Sequence, residues 1–77
     1  EDSFLECKNL KKIKIPNSVK KIGNFAFEGC KSLEKIKIPR GIKSVKINAF
    51  NGCKILNEIS YGYYFYLNTV DFLYNFH

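Results

Sequence analysis

A repeat solenoid is the fold class this sequence predicts, and three observations predict it. The residues recur at a fixed offset of 23, the matched positions are almost all apolar, and the unmatched ones are Lys, Asn, Ser and Glu. Stacked on that period, Cys7, Cys30 and Cys53 share a column, as do Leu10, Leu33 and Leu56, then Ile13, Ile36 and Ile59, and the rings Phe4, Phe27 and Phe50. Ala26 falls over Ala49, Ile15 over Ile38, Pro16 over Pro39, Val19 over Ile42, and Ile22 over Val45. Apolar columns separated by polar positions describe a face that each repeat can bury only against its neighbours, the signature of stacked coils. Residues 1–60 divide into one partial and two full coils, and residues 61–77 form a degenerate, aromatic last coil or cap.

Within a coil, the segment Lys11 to Pro16 alternates Ile13 and Ile15 with Lys12 and Lys14, the pattern of a half-buried strand. Lys35 to Pro39 and Glu58 to Tyr61 are its equivalents, so successive coils lay down a parallel sheet of short strands. Proline at the strand's end fits, because it has no amide to continue the ladder. A turn through Asn17 and Ser18 follows, and Val19 and Ile22 point back inward. Gly23 and Asn24 then open the return path. Ala26, Phe27, Cys30 and Leu33 have the spacing of a short helical or 3-10 turn with one face inward. Gly29 and Gly52 suit a site of positive φ or one with no room for a side chain.

After Ile59 the composition changes, and all five tyrosines lie in this tail together with Phe65, Phe72 and Phe76. Kept in frame, Tyr61 falls under Ile38, Phe65 under Ile42, Leu73 under Phe50 and Phe76 under Cys53, so large rings replace smaller core residues. A bulky last coil can roof an exposed core while its hydroxyls reach water. A short amphipathic helix using Leu67, Val70, Leu73 and Tyr74, started by Asn68 or Thr69, does the same job. An exposed aromatic patch for a sugar or a protein partner is the competing expectation.

The pattern IPxSVxxIGxxAFxGCxxLxxIxIP, from Ile15 to Pro39, resembles the BspA-like subclass of leucine-rich repeats. The next copy keeps most of it, with Lys46 in place of Gly23 and Gly41 in place of Ser18. The resemblance covers roughly residues 1–60. It implies a repeat fold and, commonly, a surface or extracellular role in binding proteins or glycans, including cell-surface adhesion. It implies no single activity.

A chain of 77 residues buries only about 60% of its unfolded surface, and a solenoid this short has two open ends. Together with the absence of methionine, this predicts a segment of a longer array, or its last few coils, with translation starting upstream of Glu1. No apolar run approaches the roughly 18 residues a spanning helix needs.

Cysteine once per coil is first a packing signal, since a free thiol behaves as a small buried hydrophobe. Side chains stacked in parallel disfavour a disulfide, and one terminal histidine does not complete a tetrahedral zinc site. No cofactor or metal is expected. Catalysis needs positioned acids, bases or nucleophiles. His77 lies at the chain end, no two of the seven carboxylates share a column in adjacent coils, and no glycine run forms a phosphate-binding loop. The segment is therefore expected not to be an enzyme.

The net charge is +6, and the lysines form columns of their own. Because Lys12, Lys14, Lys35 and Lys37 alternate with buried isoleucines, all four are expected on the outer face of the sheet, where they are the candidate binding residues. Like charges about 6 Å apart in water repel by less than about 1 kcal/mol, so a solvated strand face accounts for the same columns without a ligand. The sharper expectation is a shallow basic strip for acidic proteins or anionic glycans, weakened by salt. Nucleic acid is the alternative polyanion. Against it, the strand face carries no aromatic residue to stack a base, and Arg40 is the chain's one arginine.

Overall fold

The computed structural model describes residues 8–76, so the expected places of Phe4, Cys7 and His77 lie outside the described residues. Each alternating Ile–Lys run becomes a strand. Lys12–Lys14 (β1), Lys35–Ile38 (β3) and Glu58–Tyr61 (β5) pair in parallel, with Ile13 beside Ile36 beside Ile59. The register equals the sequence period, because each coil is one full winding. The isoleucines of these strands turn into the core and the lysines turn out.

Hydrogen bonds repeat with the coil as well. The amides of Glu34 and Lys35 both donate to Lys11 O, and one winding later those of Asn57 and Glu58 both donate to Glu34 O. A second, two-stranded parallel sheet, which the periodicity did not announce, joins Lys21–Ile22 (β2) to Ser44–Val45 (β4). It turns the Val19–Ile22 bend into a ladder that buries Ile22 and Val45.

The return path is a chain of tight turns rather than an α-helix. Ala26 N donates to Gly23 O, Glu28 N to Phe25 O, Cys30 N to Phe27 O, and Leu33 N to Cys30 O, all three residues back. Gly29 and Gly52 sit at φ 88° and 90°, the left-handed region that favours glycine. Phe25 also lies there, at φ 61°, with its ring close to half exposed. Phe27 and Phe50 stack nearly parallel, planes 6° apart and centroids 5.2 Å apart. That separation exceeds the carbon contact distance of about 3.5–4.0 Å, so the rings are slipped past one another. Cys30 and Cys53 are buried and not joined by a disulfide. Leu33 and Leu56 are buried too, whereas Leu10, at the end of its column, is half exposed.

Beyond Tyr61 the chain leaves the repeat frame. Tyr61 still pairs with Ile38, but Gly62, at φ 62°, and Tyr63 make a two-residue loop that sends Tyr64–Tyr66 (β6) back antiparallel to β5. Glycine at the first loop position is what a type II′ hairpin requires. The sheet order is β1-β3-β5-β6.

The helix Thr69–Phe76 (α1) follows, with Asn68 as its N-cap. Asp71 N donates to Asn68 Oδ1 at 2.8 Å, and the Asn68 amide donates back to Asp71 Oδ2 at 3.3 Å. The face it buries is not the expected one. Phe72 is fully buried, Leu73 and Phe76 are partly buried against the core, and Leu67, Val70 and Tyr74 are all at least 73% exposed. The extrapolated frame fails for the same reason. The ring that meets Phe50 is Phe72, where the frame had placed Leu73, because a hairpin and a helix advance differently from a coil.

Candidate functional site

The four candidate lysines all lie on the outer face of the large sheet, and all are exposed. β1 and β3 pair Lys12 with Lys35 and Lys14 with Lys37, which makes a two-by-two array. Neighbouring strands lie about 4.8 Å apart, and alternate residues along a strand about 6.7 Å apart. On β5 the same rows continue with Glu58 and Ser60. Lys35 Nζ stands 3.7 Å from Glu58 Oε1, so one of the four cations has an anionic neighbour. Between partly exposed side chains such a pair is worth at most about 1 kcal/mol and can open to a ligand.

The fourth strand adds what the sequence reading missed. Phe65 of β6 stands directly opposite Ser60, and residues paired in this way project from the same face. A single cross-strand row therefore reads Lys14, Lys37, Ser60, Phe65. The expectation that this face lacks an aromatic residue is corrected. In the repeat frame Phe65 belonged under Ile42 in the core, but the hairpin reversal places it outside, 68% exposed. The available signal was Tyr-Gly-Tyr-Tyr, with glycine between two alternating apolar runs, a hairpin cue that the repeat pattern obscured. The lysines, Ser60, Gly62 and Phe65 line one shallow groove of about 530 Å³.

Two other concavities flank the last coil. A larger groove of about 970 Å³ runs between Phe50–Lys54 and α1, away from the lysines, with Ile47, Val70 and Tyr74 on its rim. A cleft of about 500 Å³ is lined by Lys43, Tyr61, Tyr64, Tyr66 and Asn75. Nearby, Arg40 lies over the Tyr63 ring at 5.4 Å, and the Tyr61 hydroxyl donates to Arg40 O at 3.2 Å.

None of these surfaces assembles a reactive centre from the described residues. No three His, Cys, Asp or Glu side chains gather there. Burial pushes the Cys53 thiol up to about 11, and its Sγ lies 3.4 Å from Phe27 O, the opposite of an activated nucleophile. No described helix is long and apolar enough to cross a membrane.

The parallel coils, their 23-residue register and the inward isoleucine columns coincide with a match over residues 1–72 to the family described as BspA type leucine-rich repeat region. The chain belongs to the BspA-type leucine-rich-repeat family. Among solved structures, this BspA-type segment is similar to a leucine-rich cell surface protein from Faecalibacterium prausnitzii A2-165, with 41% identity and a TM-score of 0.69. The match covers 75% of this chain and 15% of that one, so the segment spans a small part of its relative's length. No curated protein matches it.

Proposed function

We propose that this BspA-type segment is a non-enzymatic recognition module of a cell-surface protein, and that it presents the outer face of its sheet to an acidic protein or glycan, as adhesion requires. The observation that carries the reading is the lysine array. Lys12, Lys14, Lys35 and Lys37 project side by side from two paired parallel strands whose isoleucines are buried on the other side. Rigid strands hold cations at fixed spacing, so the ordering cost on binding falls mainly on the lysine side chains. That a structurally similar protein is described as a cell surface protein supports the location. Nucleic acid is a second reading, and the exposed Phe65 beside the lysines favours it, because aromatic rings stack bases.

The test is retention of the full chain on immobilised heparin, polyglutamate and single-stranded DNA across a salt gradient. Binding through this face weakens steeply as added salt shortens the screening length below about 10 Å. The double variant Lys14→Glu, Lys37→Glu abolishes it. Retention that ignores both salt and the charge reversal overturns the reading, and DNA retained more tightly than either other polymer favours the second.

A further inference from the structure

We propose that the row Lys14, Lys37, Ser60, Phe65 is a subsite for an acidic saccharide, with one sugar ring stacked on Phe65 and its neighbours' acid groups on Lys37 and Lys14. The inference rests on the reading of the lysine face as a binding surface and names its ligand class. Three features of the face point to a sugar rather than to a polyanion at large. Phe65 is 68% exposed and makes no ring or cation contact among the described residues, so an apolar face stands open on a polar surface. Ser60 puts a hydroxyl between ring and cations, able to donate to or accept from a sugar hydroxyl. Lys14 and Lys37 are in no ion pair among the described residues, whereas Lys35 faces Glu58.

The geometry matches a chain of pyranoses laid across the strands. From Lys14 to Phe65 the row spans three strand spacings, about 14 Å. A pyranose has an apolar C–H face that packs on an aromatic ring, and hydroxyl and acid groups around its rim. A uronate or sulfated oligosaccharide therefore offers, in order, the groups this row receives. A peptide is served less well. β3 and β5 are paired on both sides and β1 offers only its outer edge, so a strand adding by its main chain would lie beside the row rather than across it, and the groove is too shallow to take side chains in pockets.

The test measures binding of the full chain to three probes: oligogalacturonate, a heparin oligosaccharide, and polyglutamate of matched charge. The variants are Phe65→Ala, Phe65→Trp, and Lys14→Glu with Lys37→Glu. Phe65 is exposed, so its replacement leaves the core intact, which a thermal melt checks. At least one of the two glycans binds, Phe65→Ala weakens it about tenfold, in the range of an aromatic anchor, and Phe65→Trp retains it. Polyglutamate responds to the lysine variant alone. If Phe65→Ala leaves glycan binding unchanged while the lysine variant abolishes it, the saccharide inference falls and the lysine reading stands. Binding of polyglutamate more tightly than both glycans has the same consequence. If no polyanion binds, both fall.

Discussion

The ring of Phe72 meets that of Phe50 edge-on, with centroids 6.2 Å apart and planes at 77°. Phe50 is the last phenylalanine of the repeating column, and the ring above it comes from a helix rather than from another coil. Tyr61, Tyr66 and Phe76 surround the same Phe72, with centroids at 6.3, 5.5 and 5.5 Å. Four rings thus gather around one fully buried side chain beside the last coil.

Removing that side chain leaves a cavity lined by four rings. Phe72→Ala is expected to cost about 3–5 kcal/mol, comparable to Phe27→Ala in the stack below. A chain of this size has little stability to spare, so both variants are expected to lose their cooperative transition in a urea melt followed by circular dichroism. A Phe72→Ala protein that melts within about 1 kcal/mol of the parent contradicts this ring's place in the core.

Gly62→Ala tests the reversal that places Phe65 beside the lysines. A Cβ at this position meets Arg40 Cγ at 2.9 Å, and the backbone sits at φ 62°. The left-handed conformation alone costs an L-residue about 1–2 kcal/mol, and Arg40 must leave the Tyr63 ring to make room. The expected loss is at least that amount, read from the same urea melt, with faster amide exchange in β6. Unchanged exchange there counts against a strained hairpin.

Phe25 gives a prediction of near-neutrality. Its φ of 61° is unfavourable for a side chain of this size, and its ring is 43% exposed. Phe25→Gly relieves about 1–2 kcal/mol of backbone strain and gives up a comparable amount of partial burial. The variant should therefore fold within about 1 kcal/mol of the parent, unlike Phe27→Ala two residues on. A loss above about 2 kcal/mol shows that the ring, not the backbone, governs this position.

Cys53 sets a dependence on alkaline pH. Its thiol is raised from 9.0 to about 11 by burial. A group whose folded pKa is raised keeps its proton in the native state after the unfolded chain has lost its own. The unfolded state then binds fewer protons, and stability falls as pH rises from about 9 toward 11. Cys53→Ala is expected to flatten that part of the pH profile while lowering stability at neutral pH. A thiol probe should label Cys53 slowly at pH 7 unless the chain is unfolded, and rapid labelling under native conditions contradicts its burial.

The period of 23 was enough to define the coils, the parallel strands with their register, the buried isoleucine and phenylalanine columns, and the outward lysines. Each of these follows from nearest-neighbour stacking, in which a residue's place depends only on its offset within the repeat. The second small sheet keeps the same 23-residue register, although alternation did not mark its strands; the inward face of α1 and the position of Phe65 do not follow from any offset. They were settled where the repeat stops, because Gly62 reverses the chain and the side chains beyond it pack wherever the open end of the core has room. Half of the candidate site, the lysines, was therefore readable from alternation. The other half, Phe65, exists only because a hairpin turns an apparent core residue outward onto their face.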